Sequence, residues 1–212
     1  MLQTKFFEVG RLATNCYIVH CTETKEATII DPGFDTTQEA EAIFAYINWQ
    51  GLKPQLIVNT HGHPDHTNGN AAIKQAYNIP IAIHDADKHM LGTTGKPTAY
   101  YFGYSTVSPP ADKLLHEDDM IHIGKQTLSV IHTPGHTNGS ITLKGKTQAY
   151  TGDTLFAGSI GRTDFPESNN RLMQQTLKKL QTLPDNIIIY PGHGPPTAMQ
   201  QEKQTNPFLT NL

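Results

Sequence analysis

The chain has 212 residues, a formal net charge of −3 and only 17% charged residues. That length can bury a sizeable core and excludes a disulfide-stapled mini-protein, and the lack of a basic excess argues against nucleic acid or an anionic membrane as partner. Eleven histidines against sixteen Lys and Arg make metal binding the first question to ask.

Residues 1–10 carry neither a basic leader nor an apolar h-region, and no window reaches 18 consecutive apolar residues, so a cytoplasmic protein is expected. Residues 5–9, 16–19 and 27–30 read as consecutive antiparallel strands. Cys16 and Cys21 share one of these strands and read as reduced, buried small hydrophobes. Thr36 and Glu39 form a capping box, and Ala40, Ile43, Phe44 and Ile47 recur at helical spacing up to Gly51, which predicts an amphipathic helix over 36–50. Residues 55–59 form a short apolar strand that ends abruptly in Thr60-His61-Gly62-His63-Pro64-Asp65-His66. A helix through 71–76 and a strand at 81–83 complete a β–loop–α–β unit. Residues 92–110, with Tyr100, Tyr101, Phe102 and Tyr104 among Gly, Pro and Ser, predict a long irregular loop whose aromatics pack along it or, as the second reading, wall a substrate pocket. Strands follow at 121–123, 128–131 and 141–143, then a helix marked by Met173, Thr176, Leu177 and Leu180, and a buried strand at 187–189. The pattern predicts one α/β domain of two sheets with helices outside, and composition alone does not fix the strand order.

The strongest chemical signal is His61-x-His63-x-Asp65-His66. Residues i and i+2 on an extended loop can converge on one ion while Asp65 and His66 turn to a neighbouring one, and Gly62 and Pro64 permit the bend between them. Three further stations share one form, a polar ligand directly after a glycine at the end of an apolar strand: Gly135-His136, Gly152-Asp153 and Gly192-His193. Each alone reads as a turn residue. With the first cluster they make five His and two Asp, enough for two ions with positions left open for water.

This constellation resembles the metallo-β-lactamase superfamily, and the resemblance spans nearly the whole chain. It implies an αββα sandwich of two mixed sheets with a dinuclear site at one edge. His61, His63 and His136 are then expected on one metal, Asp65, His66 and His193 on the other, and Asp153 as the bridge. Thr133-Pro134-Gly135-His136-Thr137, Ser159-Ile160-Gly161-Arg162-Thr163-Asp164 and Gly192-His193-Gly194-Pro195-Pro196-Thr197 are similar to small single-domain glyoxalase II-like hydrolases, which cleave S-D-lactoylglutathione or related thioesters. Only 19 residues follow His193, so the C-terminal helical domain that helps two-domain glyoxalase II hold glutathione is not expected. Two divalent ions would lower the pKa of a shared water toward about 7 and present hydroxide to a polarised thioester carbonyl. Zinc is the default for these donors, and iron or manganese is admitted by them.

Asp65 reads first as a ligand and second as the group that orients the attacking hydroxide. Arg162 is a candidate anchor for a substrate carboxylate or a partner of Asp164, and Tyr190 a candidate for the site rim or the core. Of the remaining histidines, His20, His84, His89, His116 and His122 read as ordinary polar positions, while His132, four residues before His136, reads first as a structural histidine with its own partners and second as a hydrogen-bond donor behind the ligands. The alternative function is a persulfide dioxygenase with a single iron, a superfamily member with a similar Gly161-to-Phe165 stretch. Ser159-Ile160 favours the hydrolase.

Overall fold

The computed structural model describes residues 1–212. The chain runs β1 (Leu2–Val9), β2 (Thr14–Cys21), β3 (Glu26–Ile30), α1 (Thr37–Trp49), β4 (Lys53–Val58), α2 (Pro64–Thr67), α3 (Asn70–Tyr77) and β5 (Ile81–His84). It continues through α4 (Lys96–Tyr101), β6 (Lys113–Leu115), β7 (Met120–Ile123), β8 (Gln126–His132), β9 (Ile141–Lys144), β10 (Gln148–Gly152), β11 (Leu155–Phe156) and β12 (Ser159–Ile160). The last elements are α5 (Asn170–Leu180), β13 (Ile188–Pro191), β14 (Thr197–Ala198), α6 (Met199–Thr205) and α7 (Pro207–Thr210).

One sheet has the order β1-β2-β3-β4-β5-β6 and the other β14-β13-β10-β9-β8-β7. Both are mixed. The first is antiparallel from β1 to β3 and parallel from β3 to β6. The second is antiparallel except where β10 runs parallel to β13. Alternating side chains bury both faces of each sheet. Tyr17, Val19, Ile30 and Val58 meet Leu128, Val130, Leu143 and Tyr150 between the sheets. Ile18, Ile29, Ile57 and Ile81 pack outward under Ile43 and Ile47 of α1 and Ile73 of α3. Ala149 and Ile189 pack outward under Met173, Leu177 and Leu180 of α5. The result is the αββα sandwich that the resemblance implies, and no helix is long and apolar enough to cross a membrane.

Local chemistry agrees with the sequence at several points. Thr36 and Glu39 cap α1 reciprocally, the two-donor arrangement that starts a helix. Cys16 and Cys21 are free and point into different cores, one outside the first sheet and one between the sheets. The segment 92–110 departs from expectation. It is not wholly irregular: Pro97 in the first turn of α4 supplies a φ suited to helix entry, and a one-turn 3₁₀ helix, Gly92–Gly95, leads into it. Its aromatics divide, with Tyr100 and Tyr101 exposed and Tyr104 buried beneath the Arg11 guanidinium, 4.5 Å from the ring centroid.

Candidate metal centre

The strand ends that carry ligands gather at one edge of the sandwich. After β4 the chain bends at Thr60 and His61 and is extended at His63, and Pro64 then opens the single turn of α2, in which Asp65 and His66 follow. His136 follows β8, Asp153 follows β10 and His193 follows β13. Close backbone approach makes glycine necessary here. A Cβ on Gly33 would stand 1.5 Å from the carbonyl oxygen of Asp65, and one on Gly192 would stand 2.1 Å from Oδ1 of Asp153.

All seven predicted ligands come together, six of them in two triads and Asp153 between the two. In the first, Nδ1 of His63 lies 3.1 Å from Nε2 of His61 and 2.9 Å from Nε2 of His136. In the second, Oδ2 of Asp65 lies 3.4 Å from Nε2 of His66 and 3.3 Å from Nε2 of His193, and the two imidazole nitrogens are 3.4 Å apart. A tetrahedral ion with bonds of 2.0–2.1 Å has ligand-to-ligand edges of about 3.4 Å. The second triad has that spacing, and the first needs an expansion of a few tenths of an ångström. Asp153 touches both, with Oδ1 3.3 Å from His66 and Oδ2 3.5 Å from His136 and from His193. Its Oδ1 is buried without a hydrogen-bond donor, as suits a carboxylate oxygen kept for a cation. The donor set and its spacing therefore fit a pair of divalent ions.

Charge in the cluster supports the same fit. Burial opposes ionisation at His61, Asp65, His66, His136, Asp153 and His193, yet at four of these the opposite charges prevail. His66 is held well above the ordinary imidazole range by Asp65, Asp153 and Asp31, and His193 is raised to about 10 by Asp153 and Asp65. The Asp65 carboxyl is lowered, chiefly by His66 and His193, and that of Asp153 is well below the usual range, chiefly through His66. Burial wins at His61, with His66 and His63 reinforcing it, and at His136. Protons on His66 and His193 thus balance two carboxylates, and a divalent ion would displace them.

Each imidazole is also held from behind, and most of these partners went unread in the sequence. Nδ1–H of His66 donates to Oδ2 of Asp31 at 2.9 Å. The Thr60 hydroxyl donates to the same oxygen at 2.6 Å and lies 3.2 Å from Nδ1 of His61, so Asp31 supports two ligands. Asp31 adopts a left-handed φ of 51°, an uncommon conformation for a residue other than glycine. Nothing in Asp31-Pro32-Gly33 itself marks Asp31 as the support of a distant histidine. His136 donates from Nδ1 to the carbonyl of Arg162 at 2.9 Å, and His193 to that of Leu12 at 3.0 Å. Nε2 of His63 lies 2.8 Å from Oε1 of Glu167. Asp87, also unread, ties the two histidine loops by accepting from Gly62 N, Gly139 N and the Thr137 hydroxyl.

The other expectations divide. His132 does not reach His136: its Nε2–H donates to the carbonyl of Asn138 at 2.8 Å, and its ring stacks on His84 at 4.0 Å. His84 is therefore no ordinary surface histidine, and burial together with His132 and His116 lowers its pKa to about 4. Arg162 is paired through Nε and Nη2 with Asp164, both at 2.9 Å, and its guanidinium lies over Phe165 at 4.3 Å. Tyr190 turns away from the rim, into an aromatic group with Tyr150 at 5.2 Å and Tyr17 at 5.6 Å. Phe102 and Phe165, 5.4 Å apart, both lie against His63. They give the first triad an apolar wall, which for Phe102 is the second of the two readings of its loop and for Phe165 had no signal in the sequence.

The family model of the metallo-beta-lactamase superfamily matches residues 9–193. The chain belongs to that superfamily. It is 33% identical over 208 residues to the probable metallo-hydrolase YqgX of Bacillus subtilis, covering 96% of each chain. To the hydroxyacylglutathione hydrolase GloC of Haemophilus influenzae it is 35% identical over 216 residues, covering 99% of each. Among solved structures, the B3 metallo-beta-lactamase BLEG-1 is 35% identical with a TM-score of 0.89, over 98% of this chain and 100% of that one. TTHA1623 in a di-iron-bound form is 31% identical with a TM-score of 0.84, over 97% and 100%. As a superfamily member with this ligand set, the chain is a metal-binding hydrolase in the broad sense.

Proposed function

We propose that the protein hydrolyses small-molecule thioesters such as S-D-lactoylglutathione in the cytoplasm with two divalent ions, zinc by the preference of its donors. The observation that carries the reading is the position of Asp153, one carboxylate within 3.5 Å of both triads. The likeness to GloC over the full length of both chains supports the thioester. When bound, the metal pair supplies Lewis acidity that acidifies water and polarises a carbonyl.

The chain's own residues do the rest. Asp65, steadied by the Thr14 hydroxyl at 3.1 Å, holds its ion and can accept a hydrogen bond from the attacking water, which sets its direction. Phe102 and Phe165 exclude solvent beside His63, so developing charge is felt in a low dielectric. Arg162 keeps its outer edge exposed while paired with Asp164 and would meet a substrate carboxylate there. Tyr190, stacked between the sheets, takes no part.

The test is metal analysis of the purified protein combined with three assays: thiol release from lactoylglutathione, oxygen uptake with glutathione persulfide, and hydrolysis of a chromogenic cephalosporin. Two divalent ions per chain with thiol release dominant is the expected result. A single iron with oxygen uptake would replace the reading by a persulfide dioxygenase. The likeness to BLEG-1 favours β-lactam hydrolysis as the second reading, and cephalosporin turnover exceeding thiol release would put it first.

A further inference from the structure

His63 stands apart from the other four histidines of the centre. His61, His66, His136 and His193 present Nε2 to the cluster and anchor Nδ1 behind it. His63 is reversed, with Nδ1 facing His61 and His136 and Nε2 pointing out to Glu167. A neutral imidazole carries one N–H, so the partner at one nitrogen decides whether the other has a free lone pair. We propose that Glu167 is a positioning residue that fixes His63 as the Nε2–H tautomer and keeps Nδ1 free to ligate.

The carboxylate accepts from Nε2–H at 2.8 Å, which leaves the lone pair on the nitrogen within 3.1 Å of both neighbouring ligand atoms. Phe102 and Phe165 offer the ring apolar contacts at centroid distances of 5.0 and 5.5 Å. They can confine the ring plane but, lacking acceptors, cannot choose a tautomer. The loop that bears Glu167 is itself tied to the His136 station. The Ser168 hydroxyl donates to the His136 carbonyl at 2.6 Å, Asn169 N to the Gly135 carbonyl at 2.8 Å, and the Arg162 carbonyl accepts from His136 Nδ1. Glu167 therefore joins two ligands of one triad through a single short loop. Asp31 gives His66 the corresponding support by a direct bond. The role rests on the metal-centre reading, and because Nδ1 of His63 faces two acceptor nitrogens in the metal-free protein, the tautomer is read with zinc bound.

The experiment uses the full chain with Glu167→Gln and Glu167→Ala. Multiple-bond ¹H–¹⁵N spectra of the zinc-loaded proteins report which His63 nitrogen carries the proton. Competition against a chromophoric chelator reports zinc affinity, and the visible spectrum of the cobalt-loaded proteins reports ligand geometry. The parent should show His63 as Nε2–H. Glu167→Ala should show a tautomer mixture, a 10- to 100-fold weaker affinity at one of two positions, the range typical for lost ligand supports, and an altered cobalt spectrum. Glu167→Gln, whose amide oxygen accepts the same proton, should recover the tautomer and most of the affinity. A mixed tautomer in the parent, an unchanged tautomer and affinity in Glu167→Ala, or a Gln variant no better than Ala would overturn the proposal. Failure of the parent to bind metal at all would instead overturn the metal-centre reading.

Discussion

Replacing Asp87 with alanine removes one acceptor that serves three donors. The carboxylate is buried, 1% exposed, and accepts from Gly62 N at 3.0 Å, Gly139 N at 2.7 Å and the Thr137 hydroxyl at 2.7 Å. The hydroxyl has a second partner in the Ser140 hydroxyl at 2.7 Å and is not orphaned. The two backbone N–H groups are, at about 1–3 kcal/mol each. Burial pushes the Asp87 carboxyl above its ordinary range, so removing that charge offsets part of the cost, and the net loss is about 3 kcal/mol. For a chain of this size that lowers the midpoint of thermal unfolding by about 6–12 °C. Scanning calorimetry of metal-free parent and variant at one pH and protein concentration measures it. Asp87→Asn keeps one acceptor oxygen and should lose about half as much. Since Gly62 separates His61 from His63 and Gly139 follows His136 in the next loop, Asp87→Ala should also weaken metal binding at the first triad. A midpoint within 2 °C of the parent, or equal damage from Asn and Ala, would refute the account of Asp87 as the tie between these loops.

His84, with a folded pKa of about 4 against an ordinary 6.5, refuses a proton that the unfolded chain accepts. Stability should therefore fall as pH drops from about 6.5 to about 4, by about 1–2 kcal/mol after solvent screening, and urea titrations of His84→Gln should show a shallower fall over that window. Gly192→Ala places a methyl 2.1 Å from Oδ1 of Asp153, so it should release bound metal at chelator concentrations the parent withstands; equal retention would show that Asp153 can move aside. Arg162→Ala should raise KM for an anionic thioester several-fold and spare a neutral one, whereas equal losses on both would assign Arg162 to its pair with Asp164. Removing the γ-glutamyl group from lactoylglutathione should cost less than about tenfold in kcat/KM, and a loss of a hundredfold or more would show a dedicated glutathione pocket.

The candidate ligand types, their grouping and the elements that deliver them were legible in the chain itself. Spacing alone separated His61 and His63 from Asp65 and His66, because an extended loop and a helical turn send neighbouring side chains in different directions. The glycines before His136, Asp153 and His193 marked strand ends, and the capping box at Thr36 and Glu39 placed α1. These are local signals, settled within a few residues of chain. Contacts between segments far apart in sequence were settled by packing alone. Glu167 meets His63 across 104 residues and Asp31 meets His66 across 35, and nothing within either segment foretells its partner. Phe102 reached the metal centre while Tyr104, two residues on, was buried under Arg11. His132 turned from His136 to stack on His84, and Tyr190 joined the core between the sheets. A ligand declares itself by its chemistry and its strand end, whereas a supporting residue is an ordinary acid, hydroxyl or aromatic until packing assigns its neighbour.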